Sequence, residues 1–257
     1  MMKFTQVRNA TVQIEYAGQR FLVDPVLADK DAYPGFEGTL NSHIRWPTVP
    51  LPMDSAQVLD VDAIILTHTH ADHWDEAAIQ SVPKDMPLLV QHDADAELVR
   101  NAGFRNVSIL GEQTRFGEVT LSITTGQHGS DATMALLGER LGQVSGVVFR
   151  HPSEKTTYLA GDTVWNSDVE HAIARYQPQV IILNAGDAQI PGLGAIIMGK
   201  QDTLTAHRAA PEATIIATHM EAVNHAVLSR EELREFVTSH QLQQKILVPD
   251  DGDSYTL

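Results

Sequence analysis

The sequence predicts a mixed α/β fold in one domain over residues 1–257, and three observations carry that expectation. Short apolar runs rich in β-branched residues alternate with segments whose apolar positions recur at helical spacing. Gly, Pro, Asn and Asp punctuate the changes of period. No low-complexity stretch, internal repeat or break in composition marks a linker, and 43% hydrophobic content in 257 residues allows a substantial core.

Thr11 to Tyr16 alternates apolar and polar side chains, turns at Ala17-Gly18 and returns through Arg20 to Asp24, the pattern of a hairpin. Asp24-Pro25 closes the second strand. Ala32 to Pro52 contains four prolines, two glycines and Trp46 without periodicity, and reads as a long loop of the kind that covers a site. A strand at Ala63–Leu66 follows, then a helix around Asp75–Val82 stopped by Pro83, a strand at Leu88–Gln91 and a helix from Asp95 to Asn101 stopped by Gly103. Val107–Leu110, Glu118–Thr124 and Val144–Arg150 read as further strands with mostly short turns between them, and Thr157–Ala160 leads into Gly161-Asp162. Ser167 with Glu170 has the spacing of a capping box, and Val169, Ala172, Ile173 and Tyr176 share one face of the helix that follows. Val180–Leu183 and Ala213–Ala217 suit strands covered on both faces, with a helix between them from near Asp202 to before Pro211. Ser229 with Glu232 caps another helix, and Lys245–Val248 is the last strand, before a turn at Asp251-Gly252.

Composition narrows the function. Cysteine is absent, so disulfides and thiolate metal sites are excluded and any ligands come from the 12 histidines and the carboxylates. A formal charge of -15, with 18 Lys and Arg against 33 Asp and Glu, argues against nucleic acid and for a small-molecule substrate. No window approaches the ~20 apolar residues of a membrane span. Met1 to Phe21 has no basic segment followed by a continuous apolar stretch, so no membrane partner and a cytoplasmic location are expected. Self-association into a homo-oligomer is left open.

Thr67 to His73 reads Thr-His-Thr-His-Ala-Asp-His directly after an apolar strand, crowding three imidazoles and a carboxylate at its end. These are good ligands for zinc and neighbouring ions. Alternate side chains of an extended segment share a face, so His68 and His70 reach one ion while Asp72 and His73 point to a second. Further candidates sit at predicted strand ends: His128 in Gly-Gln-His-Gly, Asp162 in Gly-Asp-Thr, and His219 after Ala217-Thr218. A carboxylate in such a place can bridge two ions ~3.5–4 Å apart.

The opening hairpin with Leu22-Val23-Asp24-Pro25, the His68-x-His70-x-Asp72-His73 motif, His128, Asp162 and His219 resemble, over nearly the whole chain, the metallo-β-lactamase superfamily. The resemblance implies a four-layered αββα sandwich and a dinuclear site. His68, His70 and His128 would bind the first ion, Asp72, His73 and His219 the second, and Asp162 would bridge. The cofactors implied are two divalent metal ions, zinc first, with manganese or iron as alternatives. The order of motifs looks most like the L-ascorbate-6-phosphate lactonase branch, although no basic cluster for a phosphate is evident.

The chemistry implied is hydrolysis by a metal-bridging hydroxide, with Asp72 and Asp162 leaving excess positive charge around the water. A lactone is the first substrate expected and a phosphodiester the second. His225 is a candidate for proton delivery to the leaving group, or a supporting histidine. Asp24 either orients the metal loops or is an ordinary turn residue. Trp46, Met198 and Lys200 are candidate substrate contacts, the last two in an apolar loop, Ala188 to Lys200, beside the site. Gly194 to Lys200 begins like a phosphate-binding loop, but Gln201 replaces the required Ser or Thr. His43, His92, His151, His171, His207 and His240 read as solvated residues. A di-iron oxidoreductase of the same fold would carry an acidic residue where His70 stands, and a non-catalytic sensing protein is the remaining alternative.

Overall fold

A computed structural model describes residues 1–257. Its first half runs β1 Lys3–Arg8, β2 Thr11–Tyr16, β3 Gln19–Val23, α1 Ser55–Val58, β4 Ala63–Ile65, α2 Glu76–Ser81, β5 Leu88–Val90, α3 Asp93–Asn101 and β6 Val107–Ile109. The second half runs β7 Thr114–Phe116, β8 Val119–Thr125, α4 Asp131–Leu141, β9 Ser145–Arg150, β10 Thr157–Leu159, α5 Ser167–Tyr176, β11 Val180–Asn184 and β12 Gln189–Ile190. It ends with β13 Gly194–Ala195, α6 Lys200–Ala209, β14 Thr214–Thr218, α7 Arg230–Ser239, β15 Ile246–Leu247 and β16 Ser254–Thr256.

Two seven-stranded sheets result, ordered β16-β1-β2-β3-β4-β5-β6 and β15-β14-β11-β10-β9-β8-β7. The β2–β3 hairpin pairs Val12 with Val23, and Ala17 and Gly18 both take positive φ, 49° and 78°, as its two-residue turn demands. Side-chain alternation then builds the layers. Ile65, Val147, Ile182 and Ile216 point between the sheets, where Phe21 and Phe149 meet edge to face. Their neighbours Val148, Ile181 and Ile215 point outward onto Val169 and Ile173 of α5 and Leu233 of α7. On the other side, Ile64, Leu88 and Val90 pack under Ala78 of α2 and Val99 of α3. Strands buried on both faces, each large side chain contributing roughly 1.5–3 kcal/mol, explain the nearly continuous apolar runs. The expected αββα sandwich is therefore the observed one. No helix is long and apolar enough to cross a membrane.

Several elements depart from expectation. Asp131–Leu141 is a helix where only turns were expected; its stripe is faint because just Thr133 and Leu141 are buried and Gly138 interrupts it. β1 precedes the predicted hairpin, and its edge pairs with the unpredicted β16, Lys3 opposite Thr256. The α5 cap is Asn166, whose Oδ1 accepts from the amides of Asp168 (3.0 Å) and Val169 (3.1 Å). The expected Ser167–Glu170 box does not form, because Asn166 takes the cap and Glu170 accepts from the Trp165 indole instead (3.1 Å). α6 begins at Lys200, Asp202 Oδ2 accepting from the Gly199 amide (3.0 Å).

Candidate metal centre

The predicted donors follow the C-terminal ends of β4 in one sheet and of β8, β10 and β14 in the other. Close backbone approach sets their positions. Gly161 has φ +72°, and a Cβ there would lie 2.2 Å from the Ser145 carbonyl oxygen, so only glycine lets the chain turn into Asp162. His219 itself occupies the left-handed region at φ +59°, a conformation that costs energy and persists only where the surroundings impose it. The His219 amide donates to the Asn9 carbonyl oxygen (3.0 Å), and Asn9 Nδ2 donates to that of Asp72 (2.7 Å).

His68 Nε2 and His70 Nδ1 lie 3.0 Å apart. His73 Nε2 is 3.1 Å from both Asp162 Oδ2 and His219 Nε2, and His219 Nε2 is 3.6 Å from Asp72 Oδ2. Asp162 Oδ2 also lies 3.7 Å from His128 Nε2 and 4.0 Å from His68 Nε2. The donor atoms thus form three overlapping groups, each within 4.8 Å: His68, His70 and His128; His68, His73 and Asp162; Asp72, His73 and His219. Asp162 stands between the other two.

Three of the outward ring nitrogens are tied back, while His219 Nδ1 is buried without a partner. His73 Nδ1 meets Asp24 Oδ2 at 2.7 Å, His128 Nδ1 meets the Ile196 carbonyl oxygen at 2.9 Å, and His70 Nε2 meets that of Arg140 at 3.2 Å. Asp24 also accepts from the Thr67 amide (2.8 Å) and hydroxyl (2.6 Å), so this turn residue orients the motif loop. Asn184 Nδ2 donates to Asp162 Oδ1 (2.6 Å).

Burial, and then neighbouring imidazoles, pushes the His68 pKa well down; burial likewise lowers that of His128, leaving both neutral at neutral pH. For Asp162 burial opposes ionisation, but His73 and His219 outweigh it and hold the carboxyl well below its usual range. Burial also opposes ionisation of Asp72, outweighed by the His219 hydrogen bond and His73. Neither carboxylate pairs with Lys or Arg within 4.0 Å. Burial opposes protonation of His73, but Asp162 and Asp24 outweigh it and raise its pKa well above the usual range, so this ring must give up a proton when it takes a cation. Imidazoles and carboxylates converging on shared centres, with the far atoms of His70, His73 and His128 tethered and no Lys or Arg to neutralise the carboxylates, are the chemistry divalent cations require, and the donor set fits.

A cavity of about 140 Å³ opens beside these donors. His70, Asp72 and His128 line it together with Phe36, Leu141, Ile190 and Ile196, and its remaining polar groups include Thr39, Arg140 and His225. His225 is buried with Nδ1 unpartnered, its ring edge-on to Phe36 at 5.0 Å, and burial lowers its pKa to about 4. The three expected substrate contacts do not line the cavity. Trp46 stacks behind Phe36 at 4.9 Å, Met198 is buried among Tyr158 and Ile181 in the outer core, and Lys200 pairs with Glu232. Apolar bulk drew the first two into packing, and Glu232 neutralises the third. The long loop and the Ala188–Lys200 segment do reach the cavity, through Phe36 and Thr39 and through Ile190 and Ile196. Arg140 and Leu141 were missed with α4, and Phe36 had no signal beyond lying in an aperiodic loop.

The family model described as Beta-lactamase superfamily domain matches residues 19–220, a span that contains every donor from His68 to His219. The chain belongs to the β-lactamase superfamily. Within it, the chain is 47% identical over 256 residues to the UPF0173 protein YddR of Bacillus subtilis (strain 168), covering 99% of this chain and 100% of the relative. The crystal structure of isothiocyanate hydrolase from Delia radicum gut bacteria is 48% identical and superposes with a TM-score of 0.97 over 99% of both chains. A possible metal-dependent hydrolase from Veillonella parvula DSM 2008 is 46% identical, with a TM-score of 0.98 over 100% of both. More distant superfamily relatives are named UPF0173 metal-dependent hydrolases. This is a family of metal-dependent hydrolases, and the chain carries histidines and aspartates grouped as candidate metal ligands.

Proposed function

We propose that the protein is a dinuclear metal-dependent hydrolase that adds water to a small, uncharged carbon electrophile, with isothiocyanates as its first substrate class. The observation that carries this reading is the pair of donor groups beside one small, partly apolar cavity. His68, His70 and His128 would hold one ion and Asp72, His73 and His219 the other, with Asp162 between them; nitrogen and oxygen donors suit zinc first, then manganese or iron. When bound, two such ions supply hydroxide at neutral pH and polarise the electrophile.

The chain's own residues do the rest. A cavity of about 140 Å³ is close to the roughly 150 Å³ that accepts benzene, so the substrate is small. Phe36, Leu141, Ile190 and Ile196 bind its apolar substituent and exclude water. His225, with its pKa lowered to about 4 by burial, is neutral at neutral pH. Its Nδ1 is enclosed, which leaves Nε2 to donate a hydrogen bond to the substrate nitrogen as negative charge develops there. The balanced reaction is R–N=C=S plus water giving R–NH2 and COS, with the C–N bond broken and both water protons ending on nitrogen. The 48% identity to an isothiocyanate hydrolase supports trying this substrate class before the lactone. A phosphodiester is less suited, because the partly apolar lining offers a single Lys or Arg charge, Arg140.

The test is metal analysis of freshly purified protein, then rates on alkyl isothiocyanates, lactones and phosphodiesters with and without chelator. We expect two ions per chain and amine release that stops on chelation and returns with zinc or manganese. Turnover of lactones alone or phosphodiesters alone overturns the substrate class, and turnover independent of metal overturns the site.

A further inference from the structure

We infer that Asn224 is a positioning residue that fixes Phe36 as a wall of the cavity and thereby sets how well the site grips the apolar substituent of its ligand. The inference rests on the dinuclear reading for what the wall does; the clamp itself stands on geometry.

Between Tyr33 and Trp46, which bridge to each other, the chain enters no strand. Its hydrogen bonds there are largely local, such as Thr39 amide to Phe36 carbonyl oxygen (3.3 Å) and Ile44 amide to that of Asn41 (2.8 Å). Phe36 and Thr39 nevertheless face the cavity, so something must hold the loop. Asn224 does. Its Oδ1 accepts from the Phe36 amide (3.0 Å), and its Nδ2 donates to Thr39 Oγ1 (2.9 Å) and to the Leu40 carbonyl oxygen (2.7 Å). Thr39 Oγ1 in turn donates to the Phe36 carbonyl oxygen (2.7 Å), closing a ring of bonds. The Phe36 amide admits only an acceptor and the Leu40 carbonyl only a donor, so the amide orientation is determined by its partners. The other ties from Phe36–Leu40 to the body are Leu40 amide to Gln189 carbonyl oxygen (3.3 Å) and exposed Arg140 to the Glu37 carbonyl.

Asn224 is buried, does not line the cavity, and adjoins His225. Its backbone is anchored next to the segment through which Thr48 bonds the carbonyls of Glu221 (2.6 Å) and Ala222 (2.9 Å). The clamp therefore references the loop to the same turn that presents His219 and His225. Phe36 is held between Trp46, stacked at 4.9 Å and 17°, and His225, at 5.0 Å and 71°. Loss of the clamp leaves the phenyl ring in the chain but no longer in register with Leu141, Ile190 and Ile196.

Two measurements on zinc-loaded full-length protein test this. The first is amide hydrogen exchange of residues 36–40, which in Asn224→Ala should quicken by about fivefold or more as the Phe36 amide loses its acceptor. The second is the dissociation constant of straight-chain alkyl hydroxamates, metal-anchored probes that need no turnover. In the wild type each added methylene should tighten binding by about fourfold. In Asn224→Ala, and in Phe36→Ala, that gain should fall below about twofold per methylene with metal content unchanged. Unchanged exchange, or a retained chain-length gain in Asn224→Ala, overturns the inference. If the wild type binds no hydroxamate, the dinuclear reading fails, while the exchange measurement still decides the clamp. Should Asn224→Ala not fold, Thr39→Val breaks the same ring and must show the same two changes.

Discussion

Asp24 illustrates how much of the centre is set by residues that touch no ligand. Its carboxylate takes three hydrogen bonds, from the Thr67 amide, the Thr67 hydroxyl and His73 Nδ1, and so fixes the loop that bears four donors. Asp24→Asn removes the charge facing His73 and should lower metal affinity about 10- to 100-fold, read by competition with a chromogenic chelator. Affinity equal to wild type would mean that the loop is self-supporting. His225 makes a different prediction: His225→Ala should lower kcat about 10²- to 10⁴-fold at unchanged metal stoichiometry, and a loss of metal instead would make it a structural support. The donors were legible because the motif is local and its partners lie at strand ends flanked by glycine or threonine. Asn224 and Phe36 were not, because their bond joins residues 188 positions apart and neither belongs to a periodic pattern.

Strands were read well where they are buried on both faces, as at Val180–Asn184 and Thr214–Thr218, since both sides demand apolar residues. The helix Asp131–Leu141 was missed because its contact with the body is narrow, with Leu136 70% exposed, so no apolar stripe betrays it. That omission also hid Arg140 and Leu141 from the sequence reading of the cavity. Turn geometry is decided by contacts that sequence does not display, and two glycines separate its components. Gly18 has φ +78° and open space around it, whereas Gly161 has φ +72° and a carbonyl oxygen 2.2 Å from where a Cβ would go. Gly18→Ala should cost about 1–2 kcal/mol in urea unfolding, the backbone penalty alone. Gly161→Ala should cost clearly more and also weaken metal binding by displacing Asp162, and equal costs would refute the packing argument.

At the scale of the molecule the centre is a joint between two sheets. His68, His70, Asp72 and His73 follow β4 of the first sheet, while His128, Asp162 and His219 follow β8, β10 and β14 of the second. The shared core between the sheets, with Phe21 on Phe149, holds them together independently of any ion, so the metal-free chain should stay folded. Without cations, however, Asp72 and Asp162 face only imidazoles, among them His219 and His73 across the junction. Cations that bind the folded chain add stability by mass action, about 2.7 kcal/mol at a free concentration a hundredfold above the dissociation constant. At roughly 2–4 °C per kcal/mol for a chain of 150–250 residues, chelation should lower Tm by about 5–10 °C without loss of far-ultraviolet circular dichroism at 25 °C. His219→Ala removes a donor contributed by the second sheet, so its Tm should respond much less to the chelator. A wild-type Tm insensitive to chelation would show that no metal links the sheets, and an identical response in His219→Ala would place the stabilising ion elsewhere.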